Sequence, residues 1–192
     1  MLYILAIVLG IALGIAAGGK ISNLLDFRLE KVWLILLAFC IQISSQILSY
    51  RGLNFFSRNI FIIQSIVFIM LFAAMWFNRS YAGVLVVGAG CLLNAVVMIL
   101  NGGKMPVSPE VLETINIPGA VEIIEKGLDV RHTLINETTK LPFLADIIHP
   151  PSVLSYMMQV VSIGDLVVVL GIMILTFEAV KGQRLVKFFA KR

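Results

Sequence analysis

Charge is scarce in this chain: 14% of its 192 residues are Asp, Glu, Lys or Arg, where a soluble domain carries roughly 25%. Hydrophobic residues make up 59%, which excludes an ordinary soluble domain and points to a polytopic membrane protein. Cysteine is nearly absent. The two present, Cys40 and Cys91, fall inside apolar runs, so neither a disulfide framework nor a thiolate metal site is indicated, and inert buried thiols are expected. Histidine is equally rare: His132 and His149 stand seventeen residues apart with Pro142 between them, unlike the one-turn spacing of a helical metal site. No metal and no cofactor is expected. Positive charge is missing before Lys20, whereas a signal peptide places it ahead of its apolar core. The first apolar run is therefore read as a retained span.

Five apolar runs are present, at 2–19, 32–50, 60–77, 83–100 and 163–180, followed by a basic tail at 181–192. Each is close to the roughly 20 residues a helix needs to cross a bilayer. The expected fold is all-α and polytopic, with about five transmembrane helices. Only the connection 102–162 is long enough to hold anything more, which excludes a large enzyme domain outside the bilayer.

Lysine and arginine accumulate in short cytoplasmic segments. With the amino terminus outside, the inner side receives Lys20, Arg28, Lys31, Arg79 and the five tail residues, nine of the fifteen basic residues. Four of the other six, Lys104, Lys126, Arg131 and Lys140, lie in the long connection, where charge bias loses its force. The short-segment count is thus nine against two, Arg51 and Arg58. Tyr3 and Tyr50 fall at the outer ends of their spans, and Trp33 and Trp76 at the inner ends, as interfacial anchors do. A multi-pass protein of a bacterial cell membrane, with its carboxy terminus cytoplasmic, is expected. Topology also accounts for the net charge of +4, so no nucleic-acid partner is inferred.

Gly10, Gly14 and Gly18 recur every four residues along the first span, a small-residue face that lets helices approach closely. It meets either another span of the same chain, with Gly83, Gly88 and Gly90 marking the fourth as a neighbour, or a second copy or partner subunit.

All six prolines, both histidines and seven of the eleven acidic residues lie between Asn101 and Ser162. The segment has no low-complexity run, so it is read as a small folded helical cap on the outer face rather than as disorder. Ser108-Pro109-Glu110 has the N-cap, first-turn proline and early carboxylate of a helix start, giving a helix from Pro109 to Ile115. A second is expected from Pro118 to Lys126, with Val121, Ile124 and Ile117 on one face, Glu122 and Glu125 on another, and Gly127 ending it. The connection sums to three net negative charges, which argues against attraction to anionic lipid.

Polar side chains inside spans are costly and need a reason. Asp165, in Ser162-Ile-Gly-Asp165 at the mouth of the fifth span, either caps the helix or binds a ligand. Asn94 lies in the fourth span one heptad from Asn101, with Met98 between them, as interhelical glue or as a ligand contact. Gln42, Ser44, Ser45, Gln46 and Gln64 either line an outward-opening crevice or pack internally. Asn101-Gly-Gly-Lys104 lets backbone amides and Lys104 bend over the helix end, as in an anion nest. His132 with Thr139 and Asp146, or His149, supplies acid–base groups, and Thr139 or Ser152 would be the nucleophile if either met His132.

Asn101, Met105-Pro-Val-Ser108, His132, Thr139, Leu144-Ala-Asp146-Ile147 and Ser162-Ile-Gly-Asp165 together resemble the bacterial integral-membrane family DUF5317, whose activity is unknown. The resemblance implies a multi-span bacterial membrane protein with a notable extracytoplasmic loop, and brings no activity with it. Three functions fit the residues. The first is binding or transport of a small polar ligand or lipid head group by Asn94, Asn101, Lys104, His132, Thr139, Asp146, Ser162 and Asp165. The second is a membrane enzyme acting on a lipid or lipid-linked substrate, with His132 or His149 as base and Asp146 or Asp165 orienting it. The third is an accessory subunit, surrounded by membrane lipids, with the glycine face of the first helix and the basic tail as its contact surfaces.

Overall fold

The structure is a computed structural model that describes residues 2–114, 119–149 and 160–186. In chain order the elements are α1 (Leu2–Ala16), α2 (Asn23–Asp26), α3 (Val32–Tyr50), α4 (Asn54–Arg58), α5 (Ile60–Phe77), α6 (Ala82–Leu100), β1 (Met105–Val107), α7 (Pro109–Thr114), α8 (Ala120–Glu125), β2 (His132–Leu134), a 3-10 turn (Pro142–Leu144) and α9 (Ile163–Lys181). Four helices, α3, α5, α6 and α9, are long and apolar enough to cross a membrane. A third or less of each is buried against protein, and large apolar side chains such as Leu36, Phe39, Ile62, Ile69 and Leu92 point outward. In water such a surface would drive aggregation; in lipid it is the solvated face, so the chain is an all-α polytopic membrane protein.

The first apolar run gives a helix shorter than expected. α1 stops at Ala16 because Gly18 takes a left-handed conformation (φ +82°). Gly18 N–H then donates to Ile15 O and Gly19 N–H to Gly14 O, the two bonds of a Schellman closure. Gly18 is therefore a helix terminator rather than part of a packing face. Lys181 adds a hydrogen bond from Nζ to Ala17 O at this end, where the helix dipole favours a cation.

α9 is the central helix. α1 packs along one side of it and α6 along another. A Cβ at Gly10 would overlap Met173 O and Thr176, and one at Gly14 would overlap Val180, while Gly83 lies on the Leu175 backbone and Gly90 on Val168 and Gly164 O. The two glycine-bearing helices thus do not face each other, as expected from their composition, but both face α9. Gly88 is outside this interface, with only Met75 Sδ at 3.6 Å from where its Cβ would sit. Cys40, expected to be buried, is on the exposed face of α3, and Cys91 is half-buried.

Between α6 and α9 the cap is mixed rather than purely helical. β1 and β2 pair in parallel, Met105 with His132, Pro106 with Thr133 and Val107 with Leu134. α7 begins at Pro109, where Val111 N–H donates to Ser108 Oγ at 3.4 Å, and α8 ends at Gly127 in a left-handed conformation. Val107, Val111, Leu112 and Val160 form the cap's own core, against which Val121, Ile124 and Leu134 pack. Met105 and Leu144 join Phe68, Ala95, Val97 and Met98 in a second cluster that docks the cap on α5 and α6. Ile115, Ile117, Pro118, Ser152 and the tail from Lys187 onward lie outside the described residues.

Candidate functional site

β1 organises the site. On one side it carries β2, whose first residue is His132; on the other, Val107 bridges to Asp146. Asp146 N–H donates to Pro106 O at 2.9 Å and Ser108 N–H to Asp146 O at 3.1 Å. Residues 132 and 146 are far apart in sequence, and β1 holds their side chains 3.8 Å apart, His132 Nε2 to Asp146 Oδ2. The other ring nitrogen, Nδ1, is 2.7 Å from Asp129 Oδ2. A carboxylate only accepts, so Nδ1 carries the hydrogen and Nε2 faces Asp146. Asp129 also accepts the backbone N–H groups of Arg131 and His132, at 2.8 and 3.3 Å.

The two carboxyls are tuned in opposite directions. Burial raises Asp146 to about 7, the Asp165 carboxylate adds to the rise, and His132 opposes it. For Asp129, burial also works upward, but the hydrogen bond and charge of His132, with the backbone and charge of Arg131, outweigh it and bring the group to about 2. Asp129 is the fixed anion that orients the imidazole. Asp146 changes charge near neutral pH.

Below the cap lie the helix ends. Ser162 and Asp165 form a reciprocal capping box at the start of α9: Asp165 N–H donates to Ser162 Oγ (3.0 Å) and Ser162 N–H to Asp165 Oδ2 (3.1 Å). Asn94 closes the ring from α6, donating Nδ2–H to Asp165 Oδ1 and accepting from Ser162 Oγ, both at 2.9 Å. A Cβ at Gly164 would overlap Asn94 Oδ1, so glycine there is what lets the amide reach. Asp165 is therefore a cap, Asn94 is interhelical glue, and both also face a cavity.

That cavity has a volume of about 400 Å³, within the roughly 300–1,000 Å³ of ligand sites. Its membrane-side wall carries Tyr3, Gln42, Gln64, Asn94 and Asp165; its cap-side wall carries Asp129, Arg131, His132 and Asp146. An apolar sector is built from Met98, Met105, Leu112, Ile123, Ile124 and Val160. Gln42 Oε1, Gln64 Oε1, Asp146 Oδ1 and Arg131 Nε are buried and have no hydrogen-bond partner among the described residues. Such groups cost about 1–3 kcal/mol each when left unpaired, which marks the wall as built to meet something.

Five expected site residues are elsewhere. Ser162 is spent in the capping box and on Asn94 and does not line the cavity. Asn101 is a clamp: its Nδ2 donates to Val97 O and Lys140 O, and its Oδ1 accepts from Lys140 N–H, at 2.8–2.9 Å. Its heptad spacing from Asn94 holds, but the helix ends at Leu100 and turns the amide onto the cap backbone. Lys104 is half-buried and outside the cavity, because the diglycine closes the helix and Met105 enters β1 at once. Thr139 Oγ1 accepts from Asn136 N–H in a local turn (2.9 Å). His149 is exposed and does not line the cavity. Asp129 and Arg131 went unnoticed in sequence, although Asp129-Val-Arg131-His132 places a carboxylate three residues before the imidazole. Glu178 was also missed. It is 1% exposed at the opposite end of the bundle, where its carboxylate accepts the N–H groups of Ala82 and Gly83 (3.0 Å each) and Leu185 (2.7 Å).

No solved structure matches the chain. An uncharacterised protein of Thermotoga maritima is 30% identical over 157 residues, covering 81% of this chain and 79% of that one. A family model, described as a family of unknown function (DUF5317), matches residues 26–177, a stretch that includes every cavity-lining residue except Tyr3. With most of its length matched, the chain belongs to the DUF5317 family of unknown function.

Proposed function

We propose that the protein binds a small polar ligand or lipid head group, for storage, sensing or transport, in the cavity between the helix ends and the cap. The observation that carries this reading is the set of buried, unpartnered polar atoms on the cavity wall, Gln42 Oε1, Gln64 Oε1, Asp146 Oδ1 and Arg131 Nε. Asn94, Asn101 and Glu178 find partners within the fold, whereas these four do not; Gln46 Oε1 and Ser49 Oγ, on α3 outside the cavity lining, are also unpartnered among the described residues. The ligand-contacting residues in this reading are Gln42, Gln64, Arg131, His132 and Asp146, with Asn94 and Asp165 holding the membrane-side wall in place. The cap faces outward and the end bearing Lys20, Arg79 and Lys181 faces the cytoplasm of a bacterial cell, supported by the nine-to-two distribution of short-segment basic residues.

An enzymatic reading is favoured by one specific feature, the Asp129–His132 pair at 2.7 Å, which is the geometry of an oriented base. It would act on a lipid or lipid-linked substrate through an activated water, since among the described residues no Ser, Thr or Cys lines the cavity. For the accessory-subunit reading, Gly10 and Gly14 pack within the chain against α9, which leaves the basic tail as its contact surface.

Native mass spectrometry of gently purified protein tests the binding reading. A co-purified small molecule or lipid is expected, and it should disappear in His132→Ala while the fold, monitored by circular dichroism, persists. Retention of the species in both His132→Ala and Asp165→Asn would sink the assignment.

A further inference from the structure

We infer that the occupant of this cavity is an organic ammonium ion with an apolar portion, bound by its N–H donors to Asp146 Oδ1 and the glutamine amides. The inference rests on the binding reading above and deepens it by naming the ligand class.

The sign of the charge comes from the carboxyls. Asp129, Asp146 and Asp165 line the cavity against Arg131 and His132, and Asp129 is engaged by His132. Asp165 has both oxygens occupied by Asn94 and the Ser162 backbone, so it contributes field rather than a free contact. Asp146 is different. It is 7% exposed, its Oδ1 has no partner among the described residues, and it faces the cavity. An ionised carboxylate can only accept, so its natural complement is an N–H or O–H donor, and a cation gains most in so desolvated a setting.

Gln64 is an independent sign that the pole receives a ligand: it is 4% exposed, lines the cavity and has an unpartnered Oε1. An amide can turn and present its NH2 instead, so Gln64 and Gln42 fix that the guest is polar, while the carboxyls fix that it is positive. An anion would meet three carboxyls against one guanidinium. Among the described residues, Arg131 Nε is the one buried donor on the wall without a partner, and an oxygen near the ammonium would satisfy it. The apolar sector of Leu112, Ile123, Ile124 and Val160 gives the carbon portion its place. The same chemistry could come from a soluble amine or from an ethanolamine lipid head group.

Three probes of equal chain length separate charge from burial: hexylamine, hexanol and hexanoate, titrated calorimetrically into the full chain in phosphatidylcholine nanodiscs. Hexylamine is expected to saturate, with hexanol and hexanoate each weaker by about tenfold or more, the scale of one lost charge-assisted hydrogen bond. Asp146→Asn should weaken hexylamine by a similar factor while leaving hexanol unchanged. Gln64→Lys, which carries its own ammonium into the pole, should abolish hexylamine binding without lowering the thermal midpoint, and it keeps the test open if Asp146→Asn does not fold. Repeating the titration in phosphatidylethanolamine nanodiscs identifies the source: a loss of hexylamine affinity there assigns the site to a lipid head group, and no change assigns it to a soluble amine. Hexanoate binding as tightly as hexylamine, no probe saturating, or hexylamine affinity left unchanged in a folded Asp146→Asn protein would overturn the ammonium assignment. Hexanol binding as tightly as hexylamine, and lost in Gln64→Leu, would overturn the ammonium class alone and leave the cavity as a binding site.

Discussion

At the scale of single residues, one buried group that matters for stability takes no part in the cavity. Glu178 is held inside the bundle by three backbone N–H groups, two of them the otherwise unbonded donors at the start of α6. It acts as an N-cap supplied from a neighbouring helix, and its negative charge suits the positive end of that helix. Hydrogen bonds to a charged group contribute about 1.5–3 kcal/mol each, so Glu178→Ala, which strands all three donors, should lower stability by at least about 3 kcal/mol. Thermal unfolding in detergent, followed by circular dichroism, measures this, and Glu178→Gln should fall between the two. The cavity carboxyls produce a pH effect of opposite signs. Asp129 titrates at about 2 in the fold against an ordinary 3.8, so its stabilisation is present above about pH 4 and is lost on acidification. Asp146 titrates at about 7 against 3.8; between those values the native state holds a proton that the unfolded chain has released, so its contribution to stability falls as pH rises. The unfolding midpoint should therefore rise from about pH 2 to 4 and decline from about 4 to 7, and Asp146→Asn should remove the decline while keeping the rise. Asp165 is legible in sequence because a carboxyl at the mouth of a span is costly, and Asp146 because it shares one connection with both histidines. Glu178 is not, because a carboxylate two residues from the end of an apolar run is indistinguishable from one at the water boundary until its depth is known.

At the scale of elements, α9 owes its central place to small residues on its partners and on itself. A Cβ at Gly83 would overlap the Leu175 backbone, and one at Gly171 would meet Val87 N and Gly83 O; backbone cannot move aside as a side chain can. Gly83→Ala should therefore push α6 from α9 and destabilise by about 1–3 kcal/mol, the range of overpacking. Gly88→Ala, with only Met75 Sδ at 3.6 Å, should be neutral or raise stability by up to about 1 kcal/mol through helix propensity. Parallel thermal melts of the two variants provide the comparison; equal destabilisation by both would show that propensity and not close approach governs the interface. The long helices were readable because a run of 18–19 apolar residues has few other outcomes. The pairing of glycine faces was not, since spacing marks a small face without naming its neighbour. β1 and β2 were hidden for another reason: each is three residues long, and Pro106 lowers strand propensity. Without β1, nothing in the sequence brings His132 to Asp146, which is why the histidine cluster could be suspected but not assembled.

At the scale of the whole molecule, the two ends of the bundle differ in kind, and this difference decides which compartment supplies the ligand. Tyr3, Tyr50, Gln64, Asn94 and Asp165 all line the cavity, so the starts of α1, α5 and α9 and the ends of α3 and α6 share the cap end. Lys20, Arg28, Lys31, Arg79, Lys181 and Arg184 follow or precede the other helix termini and collect at the opposite end. Short basic segments stay on the cytoplasmic side during insertion, so the cap and its acidic cavity should open outward. Cysteine labelling tests this directly in a chain carrying Cys40→Ala and Cys91→Ala. Glu137→Cys, on the exposed cap turn, should react with a membrane-impermeant maleimide in intact cells, and Gln183→Cys, exposed beyond α9, only after lysis. The reverse pattern would turn the cavity toward the cytoplasm. The prediction bears on the ligand as well as on topology, because an outward site samples extracellular amines and the head groups of the outer leaflet, whereas an inward one would meet cytoplasmic metabolites. The pH response follows the same division. Asp146, at about 7, would sense the external medium, so acidifying the outside of intact cells should reduce occupancy by neutralising the carboxylate, with internal pH left unchanged.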